Sequence, residues 1–361
     1  MSPADVAAPG DEPLGDESRA GSALKVVKAP VLAFHRVLVT GGAGFIGSNF
    51  VRYALAEHPD WHIVVLDKLT YAGRRDNLCD VLDRITFLEG DIADSRRVAE
   101  AMAGADAVLN FAAESHVDRS LADPRPFVRT NVEGTLVLLE EARRRGVSRF
   151  LQVSTDEVYG DLSGTDRHSV EGDPLGPRSP YAATKAAAEH LVMSYAISYG
   201  LNVVITRGSN TYGPFQYPEK IIPLFISNAL KDQPVPLYND GSAVRDYMYV
   251  EDHCAGIDVV LHHGESAQAY NLGARLQVSG VAVAEAILRA TARPRSLITF
   301  VPDRPGHDYR YSVDPSRAEA LGWCRRWSFP DGLGATVKWY ATRRADASGA
   351  RAGGGDTSVS L

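Results

Sequence analysis

The feature that most constrains this chain is a glycine-rich turn between a short apolar run and an amphipathic segment. Gly41, Gly44 and Gly47 lie at equal spacing. They follow the β-branched run Arg36–Thr40, and apolar residues then recur at helical spacing over Phe45–Glu57. Glycine permits a tight turn and the close approach of a pyrophosphate, while the N–H groups at a helix N-terminus favour an anion. The pattern predicts the first unit of a doubly wound parallel α/β sheet, a Rossmann sheet that binds a dinucleotide.

An acidic residue closes the second predicted strand. Asp67 follows a strand predicted at 63–66. It lies about 20 residues beyond the last glycine, where a carboxylate meets the ribose hydroxyls of a dinucleotide. A carboxylate there repels a 2′-phosphate, so the sequence predicts NAD rather than NADP. The positive charge of Lys68 would weaken this preference a little. A third strand at 85–88 leads to Asp91, which we expect either to contact adenine or to serve only as a helix cap or turn residue.

Two adjacent carboxyl groups stand where a fifth predicted strand ends. A fourth strand is predicted at 109–113 and the fifth at 150–153. The fifth runs into Thr155, Asp156 and Glu157. Ligands of open α/β sheets bind beyond the carboxyl ends of the strands, so these acids favour a catalytic site over a solvated pair. One carboxyl group can act as a base and the other as an acid if their surroundings separate their pKa values.

A tyrosine and a lysine one helical turn apart follow this strand. Tyr181 and Lys185 begin a predicted helix at 181–199 and, at positions i and i+4, share one of its faces. The pKa of a free tyrosine is near 10. A nearby ammonium, together with the positive nicotinamide of NAD, favours the phenolate, which can then act as a base at neutral pH. The lysine can also hold the nicotinamide ribose.

These segments, together with several downstream, are similar to the extended short-chain dehydrogenase/reductase superfamily and, within it, to the dTDP-glucose 4,6-dehydratase family. The resemblance covers about 36–325 and is carried by TGGAGFIGSNF, AAESHVDRS, STDEVYG, YAATK, SNTYGPFQYPEKIIP, VRDYMYVEDHC, YNLG and DRPGHDYRYSVDPS. Its most specific part is the acid pair, which related epimerases and decarboxylases typically lack. The resemblance implies a Rossmann domain that holds NAD and a smaller mixed α/β domain that binds a nucleotide sugar.

The resemblance also implies a reaction: oxidation of dTDP-glucose at C4, loss of water across C5–C6, and reduction at C6, giving dTDP-4-keto-6-deoxyglucose. In that reaction Tyr181 removes the proton of the C4 hydroxyl beside Lys185, and Thr155 hydrogen-bonds the C4 oxygen. Glu157 is expected as the base at C5, and Asp156 as the acid that protonates the departing C6 hydroxyl. NAD is regenerated in each turnover and need not leave the protein.

Further binding residues are implied by their positions in the shared motifs. Those expected at the cofactor are Gly41, Gly44, Phe45, Ile46, Gly47, Asp67, Lys68, Thr70, Asp91, Ile92, Ala112, Ala113, Ser115, Thr130, Tyr181, Lys185 and Thr211. Those expected at the substrate are Ser115, Thr155, Asn210, Lys220, Ile221, Tyr238, Arg245, Asn271, Arg304, His307 and Asp308. Arg245 and Arg304 suit a diphosphate because guanidinium offers a planar fork of donors, although each would also suit an ion pair.

The chain is expected to divide into tails and two interleaved domains. Segments 1–30 and 343–361 lack periodic apolar positions and are predicted as disordered tails. The resemblance implies the following domains: NAD-binding at 31–208 plus 245–275, and sugar-nucleotide-binding at 209–244 plus 276–342. It also implies a homodimer through helices at 124–145 and 181–199, whose apolar faces could equally pack within one subunit.

Charge and apolar patterning limit the partners. Lysine and arginine number 38 against 45 for aspartate and glutamate, and the net charge of −7 gives no broad reason to bind nucleic acid or an anionic membrane. No run reaches the about 18 apolar residues of a membrane helix, and no secretory signal is present, so a cytoplasmic protein is expected. Three scattered cysteines indicate free thiols in a reducing compartment. His262 and His263 have no ligand partners at metal spacing, and no metal is predicted.

Two departures from the family pattern and several alternatives stay open. Thr211 stands where the family often has a cofactor-side asparagine, and Tyr247 where it often has tryptophan or another aromatic. One methyl group, worth about 1–3 kcal/mol, separates thymine from uracil, so UDP-glucose or another NDP-hexose is an alternative substrate. A sugar-nucleotide 4-epimerase would need Tyr181 and Lys185 but not the acid pair. A catalytically silent dinucleotide-binding protein would be expected to lose the tyrosine or the lysine.

Overall fold

Short apolar, β-branched runs supply the strands of this protein. The computed structural model describes residues 32–303 and 308–352, which lie within one unit of the chain. In chain order its strands are β1 (Arg36–Thr40), β2 (His62–Asp67), β3 (Thr86–Glu89), β4 (Ala107–Asn110), β5 (Arg149–Thr155), β6 (Val203–Gly208), β7 (Asn210–Tyr212), β8 (Val235–Tyr238), β9 (Val244–Tyr249), β10 (Gln268–Leu272), β11 (Gln277–Ser279) and β12 (Ile298–Val301).

One sheet dominates the architecture. Strands β1 to β6 and β10 pair in parallel in the order β10-β6-β5-β4-β1-β2-β3. β1 lies between β2 and β4, so the chain order reverses between β1 and β4. Ligands of doubly wound sheets bind outside the carboxyl ends of the strands at such a switch point. The predicted doubly wound parallel sheet is confirmed.

Helices cover this sheet and build much of the rest of the molecule. In chain order they are α1 (Phe45–Glu57), α2 (Ser95–Ala101), α3 (Val117–Ala122), α4 (Arg125–Phe127), α5 (Thr135–Arg145), α6 (Pro180–Tyr199), α7 (Ile221–Ala229), α8 (Val250–His263), α9 (Gly280–Ala290), α10 (Ser316–Ala320) and α11 (Phe329–Ala352). A π-helical segment, Val128–Gly134, joins α4 to α5 and makes one continuous helical stretch. None of the helices in the described part of the chain has the length and apolarity needed to cross a membrane.

The fourth strand ends earlier than the predicted span of 109–113. β4 ends at Asn110, whose Oδ1 accepts a hydrogen bond of 2.6 Å from Thr40 Oγ1. Beyond it, the backbone passes so close to Gly41 that a Cβ on this glycine would lie 2.5 Å from the nitrogen of Ala112. The chain leaves the sheet here because it packs against the glycine turn, a tertiary constraint that apolar patterning does not show.

Neighbouring residues of a strand belong to different apolar cores. In β1, Val37 and Val39 join one cluster and Leu38 joins a second, because successive side chains point to opposite faces of the sheet. Both faces are therefore covered, and the strand reads as a continuous apolar run. A third cluster, which includes Phe225 of α7 and Ile287 of α9, forms the core of a smaller part of the molecule.

Two small sheets accompany this third cluster. β9 pairs in parallel with β7 and antiparallel with β11, and β8 pairs in parallel with β12. This smaller part is mixed α/β, as expected for the second domain. The domain boundaries stay a prediction.

Only the C-terminal predicted tail overlaps the residues that the structure describes. Segment 1–30 lies outside the described residues. The tail predicted from 343 is partly wrong, because α11 continues to Ala352. Alanine and arginine are among the strongest helix formers, and the run from 343 is rich in both. Residues 353–361 lie outside the described part of the chain.

Candidate active site

The glycine turn after β1 leaves room for a phosphate at the start of α1. Gly41 has a φ of +68°, in the left-handed region that other residues rarely adopt. A Cβ at Gly47 would lie 2.3 Å from the carbonyl oxygen of Gly41, so the turn and the helix can pack this closely only through glycine. Gly44 caps α1 without a side-chain hydrogen bond, and the first turn carries no acid. The helix N–H groups are thus available to an anion.

Asp67 lies at the carboxyl end of β2, beside this turn. It is buried, and its carboxylate accepts hydrogen bonds of 2.9 Å from the backbone N–H groups of Ala43 and Leu69. Burial raises its pKa, against the effect of these two hydrogen bonds. Lys68 forms an ion pair of 2.8 Å with Asp91. Because Lys68 is already paired with a carboxylate, its charge weakens the preference for NAD over NADP less than the sequence suggests.

One cavity gathers almost all of the predicted cofactor residues. We call it the cofactor cavity, and its predicted members are Gly41, Gly44, Phe45, Ile46, Gly47, Asp67, Lys68, Thr70, Asp91, Ile92, Ala112, Ala113, Ser115, Thr130, Tyr181 and Lys185. Thr211 lies instead in an adjoining space with Asp156 and Tyr181, the catalytic cavity. The Thr211 hydroxyl donates to the Ser209 carbonyl at 3.1 Å or pairs with His253 Nδ1 at 2.8 Å, so its side chain is held by the protein.

The acid pair sits where β5 turns into a 3₁₀ helix, Asp156–Tyr159. Thr155 caps this turn: its hydroxyl accepts a hydrogen bond of 3.3 Å from the N–H of Glu157 and lies 3.3 Å from Asp156 Oδ1. Asp156 is 2% exposed, whereas Glu157 is half-buried and lines a third space, the substrate cavity. The two carboxyl groups therefore occupy different environments although they are adjacent in sequence.

The surroundings of Asp156 favour its protonated form. Burial raises its pKa well above the ordinary value, and the charges of Glu157 and Asp246 add to this. Arg245 and the hydrogen bond with Thr155 act in the opposite direction and do not reverse it. A carboxyl group kept neutral in this way can donate a proton at neutral pH.

Tyr181 and Lys185 are both buried on α6 beneath the cofactor cavity. Lys185 Nζ donates a hydrogen bond of 2.6 Å to the carbonyl of Val153, and burial lowers its pKa to about 8, although Glu189 opposes this. Burial also raises the pKa of Tyr181, and Glu157 adds to the effect. The expectation that Lys185, together with the positive nicotinamide of NAD, favours the phenolate stays a prediction.

The predicted substrate residues divide into two groups. Asn210, Lys220, Ile221, Tyr238 and Arg245 line the substrate cavity beside Glu157. Ser115 and Thr155 line the neighbouring spaces, and Lys220 Nζ donates 2.9 Å to the carbonyl of Ser115. Arg304 and His307 lie outside the described residues.

Asn271 and Asp308 do not line these cavities. Asn271 is fully buried, donates 3.0 Å to the carbonyl of Ser169 and accepts 2.8 Å from Tyr159, so it serves the packing of β10. The carboxylate of Asp308 is buried and paired at 3.0 Å with Arg178, while its carbonyl accepts a hydrogen bond from Arg245. Asp308 thus positions a predicted substrate residue instead of facing the cavity itself.

Some residues of the site were not predicted from the sequence. They either lie inside the protein near a catalytic residue or line two of the cavities at once. Glu189, one turn beyond Lys185 on α6, is 2% exposed, pairs at 2.7 Å with Arg207 and favours the charged form of the lysine. Its i,i+4 spacing from Lys185 was a usable signal. Gln216 lines both the cofactor and the catalytic cavity, and Glu219 lines both the cofactor and the substrate cavity.

Known proteins resemble this chain over most of its length. The family model described as GDP-mannose 4,6 dehydratase matches residues 38–336. The low-salt glycan biosynthesis protein Agl12 of Haloferax volcanii is 52% identical over 306 residues, which are 84% of this chain and 98% of the relative. A dTDP-glucose 4,6-dehydratase of Streptomyces niveus is 45% identical, over 86% of this chain and 94% of its own length.

Solved structures agree with these relatives. The dTDP-glucose 4,6-dehydratase DesIV from Streptomyces venezuelae, crystallised with NAD bound, has a TM-score of 0.83 and 47% identity, covering 86% of this chain and 98% of its own. A Thermus thermophilus UDP-glucose 4-epimerase in complex with NAD has a TM-score of 0.80 and 35% identity, covering 85% and 99%. The overall fold thus accommodates more than one reaction, and the residues at the site must decide between them.

Proposed function

This chain belongs to the GDP-mannose 4,6-dehydratase family, and from that premise we propose that it is an NAD-dependent dTDP-glucose 4,6-dehydratase. One observation carries the proposal: the buried Asp156, whose pKa is raised by its surroundings, lies beside the more open Glu157, next to Tyr181 and the cofactor cavity. A reaction that removes water from a sugar needs an acid and a base together, and this pair supplies both. A 4-epimerase has no use for the second carboxyl group.

The cofactor cavity fits NAD. The glycine turn leaves backbone N–H groups open to a pyrophosphate, and the spaces that a Cβ would fill at Gly41 and Gly47 allow the close approach. Asp67 and Lys68 line the same cavity, where the adenosine ribose would be held, and Lys185 lines its other part. Bound NAD would supply the acceptor for a hydride from C4 of the sugar and the donor that returns this hydride to C6.

Tyr181 and Thr155 act on the C4 hydroxyl in this proposal. Tyr181 takes the hydroxyl proton, and Thr155, whose hydrogen bond with the Tyr181 phenol lowers the phenol pKa, also contacts the C4 oxygen. Burial among the protein's own groups leaves the phenol protonated, so its activation depends on positive charge brought by the cofactor together with Lys185. Lys185, with a pKa of about 8, is mostly charged at neutral pH.

The acid pair acts in the elimination step. Glu157 removes the C5 proton, which the C4 ketone makes acidic, and Asp156 gives its proton to the departing C6 hydroxyl. The departing hydroxyl and the Asp156 proton form the water molecule. When hydride returns to C6, Glu157 gives a proton back to C5, and Asp156 is reprotonated from solvent. The assignment of base and acid follows the family resemblance, and the difference in burial supports it, because burial raises the pKa of Asp156 and favours its protonated form.

Cations at the substrate cavity support a diphosphate-linked sugar. Arg245 and Lys220 line this cavity together with Tyr238 and the apolar side chains of α7. The guanidinium of Arg245 also contacts the Tyr311 ring at 4.8 Å, which fixes its direction. We assign this cavity to the nucleoside diphosphate. The thymidine preference rests on the relatives, and UDP-glucose is the alternative substrate.

The proposal includes a cytoplasmic homodimer, formed through the helical stretch of α4 to α5 and through α6. Val128, Leu136 and Ile197 are exposed apolar residues on these elements, and Ile197 is 80% exposed. An apolar surface of this kind on two neighbouring helices supports an interface between two copies of the chain. Size-exclusion chromatography with light scattering tests it, and a monomer at micromolar concentration contradicts it.

The activity is tested without added cofactor. The purified chain is incubated separately with dTDP-glucose, UDP-glucose and GDP-mannose, and mass spectrometry follows the loss of one water. Running the reaction in D₂O should place deuterium at C5. Water loss that is fastest with dTDP-glucose is expected; a changed C4 configuration at unchanged mass would instead identify an epimerase. No change in any sugar nucleotide, even with NAD supplied, would refute the dehydratase.

A further inference from the structure

A cluster of metal-ligating side chains lies far from the catalytic site. His58 follows the last turn of α1, while Asp258 and His262 stand one turn apart near the end of α8. Helices of a doubly wound sheet run antiparallel to its strands, so these helix ends lie at the edge where the strands begin. The cluster is therefore at the edge opposite to the cofactor cavity. We propose that His58, Asp258 and His262 bind a divalent metal ion of the zinc class.

The ligand atoms are already assembled. His58 Nε2 lies 2.8 Å from Asp258 Oδ1, and His262 Nε2 lies 3.5 Å from the same oxygen. All three ligand atoms are within 4.8 Å of one another. Zinc bonds of about 2.0–2.2 Å in a tetrahedron place neighbouring ligand atoms roughly 3.4 Å apart. Small rotations of the two imidazoles bring the cluster to this spacing.

The hydrogen bond of His262 orients its second nitrogen for a ligand. Nδ1 lies 2.8 Å from the carbonyl oxygen of Leu32, and a carbonyl only accepts, so Nδ1 carries the hydrogen. In the neutral ring the lone pair is then on Nε2, which is buried and, among the described residues, has the Asp258 carboxylate nearby but no well-formed hydrogen bond. A ring N–H donated to a backbone carbonyl is the usual support of a metal-ligating histidine.

Neighbouring side chains hold the two rings in place. The Trp61 ring stacks on His58 with centroids 4.1 Å apart and an interplanar angle of 13°, and Phe34 lies 5.3 Å from His262. The three ligand side chains are 11–22% exposed, which leaves access for the ion and for a water as fourth ligand. An apolar shell around a partly open site of two nitrogens and one carboxylate is typical of zinc centres.

Arg149, a positive charge close enough to act on His262, donates its hydrogen bonds elsewhere. Arg149 acts electrostatically on His262, but its guanidinium donates to Asn202 Oδ1 at 2.8 Å and to the Gly264 carbonyl at 2.7 Å. The Asp258 carboxylate thus contacts the two histidine side chains. Two imidazoles favour zinc, cobalt and nickel over magnesium and calcium, which prefer oxygen ligands. A bound ion would join α1 to α8 and stabilise the fold without contacting the substrate.

The experiment is a metal titration of the full chain, prepared without a histidine tag and with the exposed thiols of Cys79 and Cys324 alkylated. Co²⁺ is followed by its visible ligand-field bands and by quenching of tryptophan fluorescence, since Trp61 stacks on a ligand. Zn²⁺ is measured by competition with a chromophoric chelator, and Mg²⁺ is the negative control. One Zn²⁺ per chain and a tetrahedral Co²⁺ spectrum are expected.

Variants assign the site. His58→Gln and His262→Gln should each weaken Zn²⁺ binding by at least about 10-fold. The matched control is His263→Gln, which removes an exposed histidine from the same helix and should bind as the native chain does. Circular dichroism without metal shows whether each variant is folded. A native chain that binds no Zn²⁺ overturns the proposal whatever the variants do, as does binding that survives in both ligand variants.

Discussion

The two edges of the large sheet each hold a largely buried aspartate, and the surroundings of the two carboxyl groups are opposite. At the carboxyl edge, burial and the charge of Glu157 raise the pKa of Asp156. At the other edge, the attraction of the His262 and His58 imidazoles outweighs the burial of Asp258 and holds its pKa below the ordinary value. Depth alone therefore does not decide protonation. Burial together with a carboxylate neighbour favours the protonated form of Asp156, whereas imidazole neighbours favour the charged form of Asp258, which suits a cation.

The largest expected effect tests the proton donor. Asp156→Asn should lower the rate of water loss from dTDP-glucose by about 10²–10⁴-fold, because an amide of the same shape cannot protonate the C6 hydroxyl. The native rate should also fall as pH rises through the raised pKa of Asp156, and the variant should lack that dependence. Mass spectrometry of timed reactions measures both, with Asp60→Asn, at an exposed position, as the control. A variant within a few-fold of the native rate contradicts the assignment.

A second change tests the cavity at the same edge. Gly47→Ala should lower the NAD content of the purified protein by about 10-fold or more, because its Cβ would meet the Gly41 carbonyl at 2.3 Å and displace the turn. Gly172→Ala is the matched control, since this exposed glycine has no described atom within 4 Å of an added Cβ and does not line the cofactor cavity. Equal NAD content in the native chain and Gly47→Ala would refute the prediction.

The opposite edge predicts a change in stability. Asp258→Asn should lower the free energy of unfolding by about 1–2 kcal/mol at pH 7, measured in urea with a chelator present. Because the pKa of Asp258 is lowered by folding, its contribution is present above the unfolded value near 4 and is lost as pH falls through the folded pKa. The difference between variant and native chain should therefore narrow in acid. A constant difference would show that ionisation of Asp258 plays no part.

The smallest effect has the opposite sign. Asp156→Asn should raise the free energy of unfolding by about 1 kcal/mol at pH 8, because it removes a carboxyl group that is costly to ionise in a buried site. Folding raises the pKa of Asp156, so its stabilising contribution is complete below about pH 4 and is lost as pH rises through the folded pKa. The gain in the variant should therefore grow from acid to alkaline pH in urea titrations. If the stability gain of the variant instead became smaller from acid to alkaline pH, the pKa of Asp156 would be lowered by folding, contrary to our prediction.

The contrast between edges also separates what the sequence could predict from what it could not. Local patterns carry the glycine turn, Asp67 and the pair Tyr181 and Lys185. Each can be recognised from a few neighbouring positions in the sequence. β1 and α1 accordingly match their predicted bounds. Charge states in the site are not local, and the pKa of Tyr181 depends on burial that no spacing reveals.

Contacts between distant segments were the hardest features to predict. Asp258 stands one helical turn before His262, but the third member of the cluster comes from a distant segment of the sequence. His58 lies 200 positions before Asp258 and meets it only because α1 packs beside α8. Asn271 resembled a substrate contact by motif, yet β10 places it inside the protein. Motif position predicts which segment approaches the site, but tertiary packing decides which side chain faces it.

The position of β10 has a consequence for synthesis of the chain. β6 ends at Gly208, and its partner β10 begins at Gln268, after β7, α7, β8, β9 and α8 have been made. All six residues of β6 are buried in the finished fold. A ribosome that stalls between these two strands therefore holds a nascent sheet with an apolar, unpaired margin, which is a template for association with other chains. Chaperone demand should be concentrated in that interval of translation.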